Sequence, residues 1–103
     1  MLIYNTTFNV HQSITDDFIQ WVKTQYIPKA TKSGHLSAPQ LALVMARSEG
    51  DDALSYSLQF HVQSVDHLEQ WYKQVGSLLV AELGDKFGQK VAGFSTILSK
   101  IQL

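Results

Sequence analysis

The feature that most constrains the fold is a change between two hydrophobic periodicities along the chain. Every second residue is apolar from Leu54 to Val62, which is the alternation of a strand with one buried face. Directly afterwards the apolar residues recur every three or four positions, as in an amphipathic helix. The residues of this helical stripe are Val65, Leu68, Tyr72, Val75, Leu79 and Leu83. The two patterns together predict a mixed α and β domain.

The first half of the chain shows the same two patterns. Residues 1–10 alternate as a strand, and Ser13 is a good N-cap for the helix that follows. This helix is predicted to cover about residues 14–27. It is expected to kink or stop at Pro28, because proline lacks the N–H group that continues the hydrogen-bond ladder. Residues 29–32 could add one further turn.

The second half contains a hairpin, a helix and a closing strand, and no internal repeat or linker is expected in the whole chain. The predicted elements are strands at 40–48 and 54–62 around a turn at 49–52, a helix from the cap Ser64 to about Gly88, and a last strand over 91–103. All 103 residues are therefore assigned to one domain, 1–103.

The order β-α-β-β-α-β predicts an α+β fold of the ferredoxin-like kind. Right-handed crossovers and short connections favour a four-stranded antiparallel sheet with both helices on one face. The other face stays open, and apolar residues such as Ile3, Ile97 and Ile101 need a place to be buried. We therefore expect a homodimer in which two open sheet faces pack together as a dimeric α/β barrel.

Charge and composition exclude several classes of partner. Eight Lys and Arg oppose nine Asp and Glu, and a net charge of −1 without a basic run argues against nucleic acid and anionic membranes. The absence of cysteine excludes thiolate nucleophiles and cysteine-ligated metals, and no paired-histidine motif indicates a metal site or another cofactor. No apolar run reaches the roughly 18 residues of a membrane span, and the N-terminus lacks the pattern of a signal peptide. A cytoplasmic protein is expected.

Six short segments carry a resemblance to a known family. They are Ile3-Tyr4-Asn5, Trp21-Val22-Lys23, Tyr26-Ile27-Pro28, Tyr56-Ser57-Leu58-Gln59-Phe60, Phe87-Gly88 and Phe94-Ser95-Thr96. Nearly end to end, the sequence resembles a family of small uncharacterised proteins, mostly from Bacteroidetes, that form a domain of unknown function in the dimeric α/β barrel superfamily. In these relatives the position of Tyr26 is often histidine. The resemblance implies a fold, a dimer and a cavity between each sheet and its helices, and it implies no particular reaction.

Three polar residues are candidates for catalysis. His61 lies on the polar face of the third predicted strand, and His67 lies in the first turn of the second predicted helix. Either could act as a general base, and the alternative is a solvated or interface histidine. Asn5 on the first strand could orient a substrate oxygen, because an amide both donates and accepts hydrogen bonds. The alternative is that Asn5 faces water or the dimer interface.

The aromatic residues suggest a binding cavity. Trp21 and Tyr26 lie near the break expected at Pro28, where they could wall a small apolar pocket together with Tyr56. The alternative is that they belong to the packed core. Trp71 lies off the helical stripe, so it is expected to be exposed or to face a partner.

Two hypotheses of function follow. The first is a small cytosolic homodimer that binds a small apolar ligand between Trp21, Tyr26 and Tyr56, or that serves as a structural or interaction module. The second is a cofactor-independent monooxygenase or isomerase on a small aromatic or polyketide-like substrate. In that case His61 or His67 is the base and Asn5 orients the substrate. An enclosed pocket with a histidine in its wall, together with loss of turnover in His61→Ala or His67→Ala, would favour the enzyme. A closed apolar core with every histidine solvated would favour the binding or structural hypothesis.

Overall fold

The sheet has the topology that the order of the elements predicts. The structure is a computed structural model that describes residues 1–45 and 52–103. Its strands are β1 (Leu2–His11), β2 (Leu36–Leu43), β3 (Ala53–Val62) and β4 (Val91–Ser99), in the spatial order β2-β3-β1-β4. Each neighbouring pair is antiparallel. The fold is therefore ferredoxin-like, as predicted.

Each crossover helix consists of two α-helical segments with a π-helical turn between them. The first crossover runs through α1 (Thr15–Trp21), a π turn (Val22–Tyr26) and α2 (Ile27–Thr31). The second runs through α3 (Val65–Trp71), a π turn (Tyr72–Gly76) and α4 (Ser77–Phe87). Short 3-10 turns, Gln12–Ile14 and Gly88–Lys90, connect the crossovers to β1 and β4. Both crossovers pack on the same face of the sheet.

The core lies between the helices and one face of the two central strands. On β1 the buried residues are Thr6, Phe8 and Val10, and their neighbours Asn5 and Asn9 point to the other face. On β3 the alternation predicted from the sequence is confirmed, because the core takes every second residue. These residues are Tyr56, Leu58, Phe60 and Val62. The open face is polar at its centre.

The first crossover does not end at Pro28. The helix continues to Thr31, because the π turn places Pro28 in the first turn of α2, where a missing N–H group is tolerated. In this turn the N–H of Ile27 donates to the carbonyl of Val22, five residues earlier. The sequence pattern alone gives no sign of this wider turn, which is why the boundary predicted near residue 27 is too early, whereas the further turn considered for residues 29–32 is present as far as Thr31.

Strand β2 begins earlier than predicted, at Leu36 instead of residue 40. A bulge shifts its register between Ser37 and Gln40, and Ala38 has a φ of 51°. Pro39 is compatible with a strand here because β2 is an edge strand with a bulge. Most of the turn predicted between β2 and β3, and the end of the second predicted strand, lie outside the described residues. Strand β4 ends at Ser99, before the predicted end of the chain.

The second crossover confirms its predicted ends but not its predicted buried face. The Ser64 hydroxyl accepts from the N–H of His67, and Gly88 ends α4 with a φ of 57°. Trp71 is only 1% exposed, whereas the stripe residue Tyr72 is 46% exposed. The expectation that Trp71 is exposed or faces a partner is wrong for this chain. The π turn inserts a residue and rotates the following turns, so the stripe does not lie on one face.

The two crossovers also share residues at a fixed offset of fifty positions, contrary to the expectation of no internal repeat. The matching pairs are Asp16 and Asp66, Gln20 and Gln70, Trp21 and Trp71, and Lys23 and Lys73. In both crossovers the tryptophan is the last residue before the π turn. The repeat therefore marks corresponding structural positions in the two halves.

The two tryptophans join the crossovers reciprocally. The Trp21 indole N–H donates to Glu82 Oε1 on α4 at 3.1 Å, and the Trp71 indole N–H donates to the Ala30 carbonyl on α2 at 2.8 Å. Glu82 also forms a salt bridge with Lys29 at 3.1 Å. The bond from Trp21, and next the bond from Lys29, lower the pKa of the Glu82 carboxyl below its ordinary value.

Candidate functional site

A partly enclosed cavity of about 160 Å³ lies between the sheet and α4. Strands β1 and β4 form its floor, α4 forms its roof, and Tyr26 reaches it from the first crossover. The lining residues are Tyr4, Thr6, Phe8, Tyr26, Leu79, Val80, Leu83, Gly93 and Ser95. None of these side chains is charged, so the cavity suits a neutral and mostly apolar molecule.

The cavity exists because β4 carries small residues where it faces the helices. Gly93 lies opposite Phe8 in the sheet, and Ser95 lies opposite Thr6. A Cβ atom at Gly93 would meet Phe8 Cδ1 at 3.1 Å, so the glycine allows the phenylalanine ring to lie close to the strand. A glycine and a serine do not fill the space below α4, and this leaves room beside the edge of the sheet.

Hydroxyl groups form the polar part of the cavity. Ser95 Oγ lies 3.1 Å from the Tyr4 hydroxyl and 2.9 Å from Thr6 Oγ1, so these three groups are linked by hydrogen bonds. Among the described residues the Tyr26 hydroxyl has no hydrogen-bond partner. Burial raises the pKa of the Tyr26 phenol well above its ordinary value, and the nearby Tyr4 adds to this effect. Tyr26 therefore stays protonated at neutral pH.

A wider groove of about 560 Å³ adjoins the cavity at Tyr4. It runs between β4 and the beginning of the second crossover, and its walls include Val65, Tyr72 and Ile97, each about half exposed. Two charged residues, Glu69 and Lys73, also lie along it. The surface of the groove is mostly apolar, and Tyr4 belongs to the linings of both the groove and the cavity.

Of the three aromatic residues predicted to line a ligand cavity, the structure places only Tyr26 in the lining of this one. Trp21 and Tyr56 pack around Phe18 in the core, to which Tyr26 also belongs. The centroid of the Phe18 ring lies 6.5 Å from that of Trp21 and 6.0 Å from that of Tyr56.

The two candidate histidines meet in a different place. His61 and His67 line a cleft of about 380 Å³ at the end of β3, and His35 lies there as well. The His35 and His67 ring centroids are 5.8 Å apart, and His67 Nδ1 lies 2.7 Å from Ser64 Oγ. Within residues 1–45 and 52–103, no three acidic, histidine or cysteine side chains are arranged to hold a metal ion.

Asn5 lies apart from the cavity. It is on the open face of the sheet, where its side chain accepts a hydrogen bond from Ser57 and donates one to Thr7 at 3.3 Å. Its strand partner is Gln59. Neither histidine of the cleft forms a hydrogen bond with Asn5 in the described structure. His61 lies on the same open face, two residues beyond Gln59 on β3, whereas His67 lies in the first turn of α3, and none of the three residues proposed for catalysis lines the cavity.

Sequence reasoning missed the hydroxyl-bearing residues Tyr4, Thr6 and Ser95. A signal for Thr6 was present, since it is a polar residue on the otherwise apolar face of the first strand, between Tyr4 and Phe8. On the last strand, Gly93 and Ser95 are also two positions apart, and both are small residues. Small and polar residues at buried-face positions of neighbouring strands are a sign of space between a sheet and its helices.

Three solved structures share the fold at low sequence identity. An ethyl tert-butyl ether degradation (EthD) family protein from Bacillus halodurans has a TM-score of 0.71 and 11% identity, covering 98% of this chain and 100% of that one. An MhuD variant with two manganese protoporphyrin IX groups bound per active site has a TM-score of 0.66 and 12% identity, covering 99% and 96%. A dimeric ferredoxin-like protein from an uncultured marine organism has a TM-score of 0.51 and 12% identity, covering 99% and 97%.

None of the helices in the described ranges has the length and apolar character needed to cross a membrane.

Sequence comparison identifies the family. No curated protein sequence matches the chain. A family model matches residues 1–101, and the chain belongs to this family, which is described as a domain of unknown function (DUF4286).

Proposed function

We propose that this chain is a cytoplasmic small-molecule binding protein whose ligand is small and mostly apolar. The observation that carries the proposal is the cavity of about 160 Å³ between the sheet and α4, with its apolar walls and hydroxyl groups. An engineered protein cavity of about 150 Å³ is large enough for benzene. The ligand that fits the enclosed part is therefore about the size of one six-membered ring.

The adjoining groove supports this proposal as a route of entry. Val65, Tyr72 and Ile97 present apolar surface along it, and exposed apolar surface of this kind is typical of ligand grooves and interaction sites. A porphyrin is several times larger than benzene and does not fit the enclosed cavity, which also has no histidine in its wall. The proposed ligand is accordingly not a haem-like group.

The monooxygenase or isomerase hypothesis has less support. It requires a histidine base and Asn5 at one substrate, but the cleft lined by His61 and His67 does not include Asn5, whose side chain is bonded to Ser57 and Thr7. A binding function needs only the enclosed space and its lining. We therefore favour binding over catalysis.

Filling the cavity tests the proposal. Benzene added to the wild-type protein should shift the NMR signals of residues around the cavity, and Leu83→Trp should abolish these shifts because the larger side chain occupies the space. Ala81→Trp is the matched control, since Ala81 is exposed on the same helix and does not line the cavity. The proposal is wrong if benzene leaves the wild-type signals unchanged or binds Leu83→Trp equally well.

We also propose that the protein is a homodimer joined through the open sheet face. Phe94 is 65% exposed on this face, and Leu98 lies beside Ile3 on the same surface. Burying such a patch against a second copy would remove apolar surface from water. One protein of the same fold is described as dimeric, which supports assembly as a dimer. Ile97 does not contribute, because it lies on the helix side of β4, opposite Tyr4.

The dimer proposal predicts a specific effect at Phe94. The wild-type protein should sediment as a dimer, and Phe94→Glu should weaken association at least roughly thirtyfold, as expected for a large apolar interface residue replaced by a charge. Leu78→Glu is the control, because Leu78 is 67% exposed on α4, away from the open face. A wild-type monomer, or equal weakening by both variants, would contradict the proposal.

A further inference from the structure

The Tyr26 side chain presents its hydroxyl to the cavity. The residue is only 6% exposed, and its ring packs against the rings of Trp21 and Phe60, with centroids 5.5 Å and 6.3 Å away. In the described ranges, every side-chain oxygen or nitrogen that is sealed from solvent has a hydrogen-bond partner. The Tyr26 hydroxyl has none, so it borders the open space that it lines.

The other hydroxyls of the cavity are paired with one another. Tyr4 and Thr6 both bond to Ser95. Tyr26 takes no part in this group. Because its hydroxyl borders open space, water can be its partner there, and a ligand without an acceptor would displace that water and leave the hydroxyl unpaired. A ligand with an acceptor oxygen keeps the hydroxyl paired when it binds.

The type of partner follows from the protonation state and the surroundings of Tyr26. The phenol keeps its proton at neutral pH, because burial disfavours the phenolate. The O–H group is therefore available as a donor, and its natural partner is an acceptor oxygen. None of the cavity-lining residues is cationic, so a carboxylate or phosphate would be buried there without a counter-charge.

We infer that the cavity selects uncharged small molecules that carry one acceptor oxygen, such as a ketone or ester, and that this oxygen accepts a hydrogen bond from the Tyr26 hydroxyl. The inference rests on the proposed function and specifies its ligand class. Apolar atoms of the ligand then contact Leu79, Val80 and Leu83. Tyr26 is in this view the residue that determines specificity.

Two probes of nearly equal shape test the inference. Cyclohexanone and methylenecyclohexane differ in a C=O against a C=CH₂ group, and both are close to benzene in size. NMR titration of the whole chain gives the affinity of each probe for the wild-type protein and for Tyr26→Phe. We expect the variant to lose roughly tenfold in affinity for cyclohexanone and to keep its affinity for the hydrocarbon, because only the ketone accepts the hydrogen bond.

Tyr56→Phe is the matched control, because it removes a tyrosine hydroxyl from the core outside the cavity lining and leaves Tyr26 intact. It should not reduce the affinity for cyclohexanone selectively. Equal effects of Tyr26→Phe on both probes, or no effect on either, would overturn the inference while leaving the binding function in place. If neither probe binds the folded wild-type protein, the proposed function fails and the inference fails with it. A thermal melt confirms that each variant is folded.

Discussion

Replacing Trp71 with phenylalanine is expected to lower the free energy of unfolding by about 3 kcal/mol. Two effects contribute. The smaller ring leaves a void in the fully buried core, and the Ala30 carbonyl loses the indole N–H that bonds to it at 2.8 Å. Tyr4 also loses a ring contact, since its centroid lies 5.7 Å from that of Trp71. Chemical denaturation monitored by circular dichroism measures the change.

The neighbouring residue provides the control for this experiment. Tyr72→Phe also shortens an aromatic side chain in the second crossover, but Tyr72 is about half exposed and its replacement should change the free energy of unfolding by less than about 0.5 kcal/mol. Similar losses for Trp71→Phe and Tyr72→Phe would mean that the buried face of this helix has been assigned incorrectly.

Adding one methyl group at Gly76 is expected to be nearly as damaging. The Cβ of Gly76→Ala would lie 2.5 Å from Trp71 Cζ3 and 2.8 Å from Tyr72 Cδ2, which is closer than non-bonded carbon atoms can approach. Trp71 cannot move away easily because it is enclosed by the core. We expect a loss of about 3 kcal/mol, at the upper end of the usual range for overpacking.

Gly84→Ala is the natural comparison, because Gly84 is also helical and nothing lies within 4 Å of an added Cβ. Alanine has the higher helix propensity, so this variant should be more stable by roughly 0.5–1 kcal/mol. The two substitutions are chemically identical and should have opposite signs in the same denaturation assay. A stable Gly76→Ala protein would show that the indole ring can be displaced at little energetic cost.

The order of the elements and the buried faces of the strands could be predicted from the sequence. Leu54 to Val62 alternate without interruption, and a sheet face with a period of two residues leaves no alternative register for burial. The cap at Ser64 and the end at Gly88 were also visible, because each depends on the chemistry of single residues. Signals of this kind depend only on residues that are close together in the chain, so the sequence alone is enough to detect them.

The face of each helix that is buried could not be derived in the same way. A π turn shifts every later side chain around the helix, and its hydrogen bonds, such as that from Ser77 N–H to the Tyr72 carbonyl, leave no residue signature. The repeat at an offset of fifty would have helped, since it pairs Trp71 with Trp21, a residue expected to line an apolar pocket or to belong to the core. A comparison of the two halves of the sequence would have indicated that Trp71 is buried.

The candidate site was predicted only in part, for a physical reason. Tyr26 could be singled out because it precedes Ile27-Pro28, but a cavity is defined by what is absent between elements far apart in the chain. Its dimensions depend on Gly93 and Ser95 passing beneath α4, a relation that appears only when β4 is placed at the edge of the sheet. The chemical properties of individual residues do not reveal the dimensions of such a cavity.

The reciprocal bonds of the two tryptophans have a consequence for cooperativity. Each half of the chain supplies an indole N–H that finds its acceptor only on the other half, at Glu82 or at the Ala30 carbonyl. The strands of the two halves also alternate across the sheet, because β1 of the first half lies between β3 and β4 of the second half. Neither β-α-β unit can complete its hydrogen bonds alone. The two units therefore form one folding unit, which gains and loses its structure in a single transition.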